Sequence, residues 1–219
     1  MLMRFIIIIS IIICFINNTY SQQKVVPPPE TERSSSTTES IKYFARFEIG
    51  AAYGNTRVGS TIEVEGFTLP GELQIGVGIT DNTFIHALVG ANVITNPTDV
   101  NTEIEALYTI CMWNFGGGLT VYAIPKMVYA SGSFLGSTTV RYLDSWDNTV
   151  DTDTYNSQLG VGFELKVGAN VMIGGFLPVG MTAFYYTSSM NDMEDAFGNA
   201  AKIKNNVAGA TLTIGLANL

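Results

Sequence analysis

The chain has 219 residues, only 14% of them charged, with 19 acidic against 11 basic residues and a net charge of −8. Ordinary soluble domains carry roughly 25% charged residues, so this chain is poor in the charges that a soluble protein places on its surface. The acidic balance also argues against a nucleic-acid-binding protein and against attachment to anionic lipid through a basic segment.

The first 21 residues predict a signal peptide. Arg4 supplies the positive charge, residues 5–16 form a short apolar core, and residues 17–21 return to polarity. Thr19 and Ser21 provide small side chains for cleavage after Ser21. The apolar run is shorter than the roughly 20 residues of a membrane-spanning helix. A lipoprotein signal at Cys14 is the alternative, and the bulky Ile13 before it disfavours that interpretation.

Residues 22–40 predict a disordered linker. They contain three consecutive prolines at 27–29 and a Ser/Thr cluster at 34–38, with no hydrophobic period and little to bury. Removal of the signal peptide leaves Cys111 as the single cysteine, so an intrachain disulfide is excluded. It also leaves ten basic against 19 acidic residues, a net charge of −9.

From residue 41 to the end, apolar residues alternate with small or polar ones, which is the period of a β-strand. The clearest run is 158–171, where every odd position from Leu159 to Val171 is apolar. Pro125 interrupts the fifth run and predicts a bulge or break there. The eight predicted strands are 43–54, 72–80, 84–94, 103–113, 119–142, 158–171, 177–187 and 208–216.

The predicted connections alternate between short and long. Three tight turns at 80–83, 115–118 and 174–175 are rich in residues that tolerate positive φ. The four longer links are 55–71, 95–102, 143–157 and 188–206. Short turns therefore lie at one end of the predicted barrel and long loops at the other.

Two of the long links are acidic. Their carboxylates are Asp144, Asp147, Asp151, Asp153, Asp192, Glu194 and Asp195. Oxygen-rich loops can bind a divalent cation, but the irregular spacing from Asp144 to Asp153 favours an ordinary solvated loop.

The composition of the two strand faces indicates which face meets water. A soluble barrel needs a charged exterior, whereas the non-apolar faces here are mostly Gly, Thr, Ala and Asn. The apolar faces are almost free of charge over about 9–11 residues, the length that a tilted strand needs to cross a bilayer. The sequence therefore predicts a membrane barrel with apolar side chains outward. A soluble lipocalin-like barrel that binds a lipophilic ligand is the alternative.

Aromatic residues near the predicted strand ends suit the two bilayer interfaces. Near the short-turn end the sequence places Phe44, Phe84, Trp113, Phe115 and Phe176. Near the long-loop end it places Tyr53, Tyr129, Phe134, Tyr155, Tyr185 and Tyr186.

This combination of a signal peptide, eight alternating strands, three short turns and four long loops resembles the small outer-membrane barrels of the OmpA and OmpX kind over residues 41–219. The resemblance implies an all-β, eight-stranded antiparallel up-and-down transmembrane β-barrel with short periplasmic turns and longer extracellular loops. It implies the outer membrane of a diderm bacterium, outer-membrane lipid as a partner, and no cofactor. One departure is the C-terminus. The family usually ends in an aromatic residue, whereas this chain ends in Leu219, which the alternation also places on the inward-facing side.

Inward-facing charges form the candidate site. The non-apolar faces of the predicted strands place Arg46, Glu48, Glu72, Glu164 and Lys166 in the barrel interior, together with His86, Glu103 and Glu105. An isolated charge in such an interior is costly, so we expect Arg46 to pair with a carboxylate and Lys166 with Glu164 or a cross-strand neighbour. Comparable interior ion networks are what the resemblance implies. Packing and register are the expected role, with a gated proton or ion path as the alternative.

Enzymatic and porin functions are disfavoured. Some outer-membrane barrels act on lipid A, but His86, the single histidine, is predicted inward near the short-turn end, away from the outer edge. No metal, nucleotide or phosphate-binding motif is present in the sequence. Eight strands leave an interior just wide enough for side chains, so a narrow ion or solute channel is the alternative to a general porin. We therefore expect a non-enzymatic membrane anchor whose loops contact a host or envelope component.

Overall fold

The computed structural model describes residues 41–60, 62–105, 108–124, 127–143, 154–194 and 200–218. They form eight long antiparallel strands and two short strand segments. The strands are β1 (Tyr43–Val58), β2 (Ile62–Gly78), β3 (Thr83–Thr95), β4 (Thr98–Asp99), β5 (Tyr108–Ile124), β6 (Val128–Leu143), β7 (Thr154–Asn156), β8 (Gly160–Ile173), β9 (Leu177–Glu194) and β10 (Ala200–Asn218). No helix in these ranges is long and apolar enough to cross a membrane.

The sheet closes on itself because β1 pairs with both β2 and β10. Each long strand pairs with its sequence neighbours, so the order is up-and-down. Tyr43 lies opposite Val77 on one side and Asn218 on the other, and the pairing with β10 continues to Val58 and Ile203. A closed sheet has no exposed edge strand, and the predicted eight-stranded antiparallel barrel is confirmed.

The apolar face of each strand is the outer face. In β8, Glu164 and Lys166 are buried inside the barrel, whereas Val161 and Val167 are 74% and 61% exposed. A soluble lipocalin-like barrel would have its apolar face inside and its polar face outside, so that alternative is wrong. Large apolar side chains face outward on the other strands as well, among them Phe47, Ile49, Leu69, Ile75, Ile85, Val89, Leu119, Phe134, Met181, Leu212 and Ile214.

Two of the three predicted tight turns are present, and the third is elsewhere. β2 and β3 are joined by residues 79–82, and β8 and β9 by residues 174–176, where Gly174 and Gly175 have φ of 63° and 81°. The predicted turn at 115–118 lies instead in the middle of β5. β5 ends at Ile124 and β6 begins at Val128, so the actual connection lies between these two residues; Pro125 itself lies outside the described residues.

The predicted faces of the fourth long strand were wrong. Ile110 and Met112 were expected to face lipid, but both are buried inside the barrel, and Trp113 and Phe115 face outward. Both faces of this part of β5 are apolar, so alternation alone could not distinguish them.

Two carboxylates expected in the interior, those of Glu103 and Glu105, lie outside it. Glu103 has φ of 56° and belongs with Glu105 to the connection between β4 and β5, where both are exposed. The predicted strand began too early, because the connection happens to continue the alternating pattern.

The long links are shorter than predicted at two places. β1 and β2 remain paired up to Val58 and Ile62, so only residues 59–61 connect them. β9 extends to Glu194 and β10 begins at Ala200. Apolar alternation ends where the strands leave the outward apolar band, whereas backbone pairing continues beyond it. We call the end of the barrel that carries the connections β1–β2 and β9–β10 the loop end, and the opposite end the short-turn end.

The predicted aromatic belts are only partly present. Phe176 is exposed in the turn before β9, as expected, whereas Tyr53 and Tyr185 are exposed but lie within β1 and β9, away from the strand ends. Phe44, Phe84, Tyr129 and Tyr186 are buried in the interior, because they stand on the inward parity. Trp113 and Phe115 face outward but lie away from the short-turn end. Phe134 also faces outward, opposite Gly117 and Phe163. The side chain of Tyr155 is outside the described residues.

Candidate functional site

The barrel interior has three layers of side chains. At the short-turn end, Phe44, Phe84, Tyr122 and Tyr129 form an aromatic cluster with edge and tilted ring contacts about 5.6 Å apart. Toward the loop end, a second apolar cluster includes Ile94, Ile110, Met112, Phe184, Tyr186 and Val207. Between these clusters lies a charged layer, which we call the central network and define as Arg46, Glu48, Glu72, Glu164 and Lys166.

Lys166 is the centre of this network. Its Nζ lies 2.5 Å from Glu72 Oε1, 2.9 Å from Glu48 Oε2 and 3.4 Å from Glu164 Oε2. Glu48 and Glu72 come from β1 and β2, across the barrel from β8. One ammonium group therefore links two opposite walls, and its shortest contacts are not with the expected Glu164 on its own strand.

Arg46 occupies the boundary between the central network and the aromatic cluster. Its guanidinium carbon lies 4.5 Å from the centre of the Phe44 ring and 4.2 Å from that of Tyr129, which is cation–π geometry. Its Nε donates to Gln74 Oε1 at 3.1 Å and lies 3.7 Å from Glu48 Oε1. The two ring contacts and the hydrogen bond to Gln74 position the guanidinium group.

Uncharged side chains connect the ionic groups. Gln74 accepts from Arg46 and donates to Glu72 Oε1 at 2.6 Å, so it links the two halves of the network. Thr211 donates to Glu48 at 3.3 Å, and the Tyr129 hydroxyl bonds to Thr182 at 2.6 Å. The sequence predicted the charged members but missed Gln74 and Tyr129. The sequence could have indicated both residues, because each stands at a strand position that faces the barrel interior.

His86 lies beside the network, and both of its ring nitrogens contact hydroxyl groups. Its Nε2 is 2.8 Å from Ser133 Oγ, its Nδ1 is 3.1 Å from Thr120 Oγ1, and Thr120 donates to Ser131. A His–Ser contact is the geometry of an activated nucleophile. Here His86 and Ser133 are 4% and 1% exposed, so a substrate cannot reach the pair. The arrangement fixes the imidazole ring within the packed interior.

The central network leaves little open space. A cavity of about 10 Å³ is lined by residues that include Glu48, Glu72, Glu164, Lys166 and Asn114, which is room for about one water molecule. Arg46 and Glu48 are 1% and 0% exposed. A water-filled pore at this level would wet these side chains, so the barrel is closed here.

A ring of hydroxyl and amide groups lies nearer the loop end. Asn205 bonds to Thr56, Thr139 and Ser188 at 2.9–3.1 Å. Ser137 bonds to Asn114 at 2.8 Å and to the Tyr186 hydroxyl at 2.6 Å. These bonds join β1, β5, β6, β9 and β10. They satisfy inward polar groups without charge.

The acidic loop residues are not located by the structure. Asp144, Asp147, Asp151, Asp153 and Asp195 lie outside the described residues, and the side chains of Asp192 and Glu194 in β9 are also outside them. Among the residues that are described, no group of three His, Cys, Asp or Glu side chains is arranged to hold a metal ion.

No protein-family model and no curated protein matches the sequence. Among solved structures, Neisserial surface protein A is similar with a TM-score of 0.50 and 12% identity, covering 81% of this chain and 99% of that chain. The fold is that of the small outer-membrane β-barrels.

Two further solved outer-membrane proteins match similar shares of this chain. The outer-membrane protein AlkL in DMPC bilayers has a TM-score of 0.49 and 10% identity over 88% of this chain and 97% of its own. Ail, the attachment invasion locus protein of Yersinia pestis, in complex with the heparin analogue sucrose octasulfate, has a TM-score of 0.47 and 10% identity over 78% and 99%. At such identities the likeness concerns the fold alone.

Proposed function

We propose that this protein is an integral barrel of a bacterial outer membrane that anchors extracellular loops for contact with a host surface or another envelope component. The observation that carries the proposal is the inverted polarity of the barrel, with apolar side chains outside and charges inside. It is a structural and recognition protein, and it catalyses no reaction.

The outer surface supports the membrane part of the proposal. Contiguous exposed apolar area on soluble proteins is typically limited to a few hundred Å², whereas outward apolar side chains occur on all eight long strands here. Only hydrocarbon covers such a surface around a whole barrel. Outer-membrane lipid is therefore the first partner.

The interior supports the recognition part. The aromatic cluster, the central network and the apolar cluster fill the barrel at successive levels. Since solute passage would require these layers to separate, the parts left to act on the outside are the loops. The acidic residues from Asp144 to Asp153 give one loop a negative charge that suits a basic partner surface.

Cysteine accessibility tests the orientation. In a Cys111→Ala background, Asp151→Cys should react with a membrane-impermeant maleimide on intact cells, whereas Asn82→Cys in the opposite turn should react only after the outer membrane is permeabilised. The reverse pattern contradicts the proposed orientation, and labelling of neither site on a folded protein contradicts exposure of the loop.

Adhesion of intact cells tests the recognition role. Cells that display the protein are compared with cells that display a variant in which Asp144, Asp147, Asp151 and Asp153 are changed to Asn. We expect adhesion to host-cell or matrix surfaces to fall at equal surface level. Asp81→Asn in the short turn is the control and should leave adhesion unchanged. Equal adhesion of the loop variant and the unmodified protein contradicts a role for these acidic residues.

A further inference from the structure

The fixed charges of the central network do not balance. Three carboxylates, on Glu48, Glu72 and Glu164, face two cations, on Arg46 and Lys166. The fully ionised network would carry one net negative charge inside a membrane barrel. An uncompensated charge in such a medium is strongly unfavourable, so neutralisation of one carboxyl group would stabilise the barrel.

The contacts distinguish the three carboxylates. Glu48 accepts from Lys166 at 2.9 Å and from Thr211, with Arg46 at 3.7 Å. Glu72 accepts from Lys166 at 2.5 Å and from Gln74 at 2.6 Å. Both are held by donors as carboxylates should be. They are therefore the charged members.

Glu164 is the exception. It is 5% exposed, its Oε2 has no hydrogen-bond partner, and its distance to Lys166 is the longest of the three, at 3.4 Å. It lines the small cavity together with Glu72, and both carboxyl groups contact the same ammonium group of Lys166. Two carboxyl groups can form a hydrogen bond only if one of them carries a proton.

We propose that the barrel interior contains a proton-binding site, in which Glu164 is a neutral carboxylic acid that donates its proton to the carboxylate of Glu72. With this proton, two negative and two positive charges remain, and the unpartnered oxygen gains a bond. The proton comes from water and no covalent bond to carbon changes. The ionisable groups around the site are Arg46 and Glu48 from β1, Glu72 from β2, His86 from β3, Tyr129 from β6, Lys166 from β8 and Tyr186 from β9; β5 and β10 contribute the uncharged Asn114 and Thr211.

The bound proton makes stability depend on pH. In the unfolded chain a glutamate releases its proton near pH 4.3, so above that pH the folded barrel holds one proton more than the unfolded chain. Stability then decreases as pH rises. Gln is uncharged and of the same shape as protonated Glu, so Glu164→Gln should remove this dependence and keep the fold.

Unfolding by urea in lipid vesicles at pH 5 and pH 8 tests the proposal. The urea midpoint of Glu164→Gln minus that of the unmodified protein should increase from pH 5 to pH 8. At pH 8 the midpoint of the variant should equal or exceed that of the unmodified protein. His86 is present in both proteins, so its titration cancels in the comparison. A midpoint difference that is independent of pH, or a lower midpoint for the variant at pH 8, overturns the proposal.

Glu48→Gln and Glu72→Gln are the matched controls. Each removes an ionised carboxylate that Lys166 contacts, so each should lower the midpoint at pH 8. If Glu72→Gln is harmless and Glu164→Gln is damaging, the proton resides on Glu72 and the assignment to Glu164 is wrong.

Infrared difference spectroscopy provides a direct readout that needs no stability comparison. The unmodified protein at pH 7 should show the C=O stretch of a buried protonated carboxylic acid, which disappears in Glu164→Gln and persists in Glu48→Gln. Absence of that band from the unmodified protein overturns the proposal, because Glu164 would then be ionised.

Discussion

Lys166 shows how much a single inward residue contributes to this fold. Its ammonium group contacts carboxylates from β1, β2 and its own strand β8, so it joins walls that are far apart in sequence. Its inward direction was predicted from alternation along β8. Its partners Glu48 and Glu72 could not be predicted, because contacts across a barrel depend on strand number and stagger.

Replacement of Lys166 by Ala should leave the carboxylates of Glu48 and Glu72 with Arg46 as the remaining nearby cation. We expect the free energy of unfolding to fall by about 3–5 kcal/mol, the cost of removing one partner from a buried ion pair. Equilibrium urea unfolding in vesicles measures it. Lys204→Ala, at an exposed position on β10, is the control and should change stability by less than about 0.5 kcal/mol. Equal midpoints for the two variants would mean that Lys166 contributes no ion pairing.

The Tyr129 ring depends on a glycine in the neighbouring strand. A Cβ at Gly168 would overlap this ring, whereas a Cβ at Gly71 would meet nothing within 4 Å. Gly168→Ala should therefore displace Tyr129 from Arg46 and lower stability by about 1–3 kcal/mol through overpacking, and Gly71→Ala should be nearly neutral. The same unfolding measurement applies. A neutral Gly168→Ala contradicts the tight contact between Tyr129 and the wall.

At the scale of elements, alternation predicted the number of strands and most of their faces. It failed at β5, where glycines at 116–118 were taken as a turn although they lie mid-strand between β3 and β6. A Cβ at Gly116 or Gly118 would collide with the backbone of β6, so these glycines permit close strand packing. A turn and a close approach of two strands both require glycine, and a single sequence does not distinguish them.

The outward face of β8 allows a direct test of its surroundings. Leu165 points outward from the middle of this strand and is half exposed. Leu165→Arg should cost about 2–4 kcal/mol in vesicles, the penalty for a cation at the bilayer midplane. Asn82→Arg in the exposed short turn should cost nothing measurable. If both substitutions are neutral, the apolar face of β8 is not in contact with hydrocarbon.

For the whole molecule, the filled interior predicts a barrier to solutes. In planar bilayers the purified barrel should show no sustained single-channel conductance, because Arg46, Glu48 and Lys166 are buried at the level where a pore would have to pass. A stable ohmic current that changes its ion selectivity in Lys166→Ala would contradict a closed interior and support the narrow-channel alternative.

The sequence predicted the architecture of the whole molecule better than its contacts. The fold follows from alternation and closure, which are local and repetitive, and it is confirmed. The aromatic cluster and the hydroxyl ring around Asn205 were missed, since each depends on residues from several strands. The proposed contact surface of the loops includes the residues from Asp144 to Asp153, which lie outside the described part of the chain.

Extraction of membranes tests the central claim most directly. Cell envelopes that contain the protein are washed with aqueous buffer, then with alkaline carbonate, and finally with detergent, and the protein is followed in each fraction. A barrel with an apolar exterior should stay with the membranes through both aqueous washes and be released only by detergent. Release into aqueous buffer without detergent would contradict the membrane barrel.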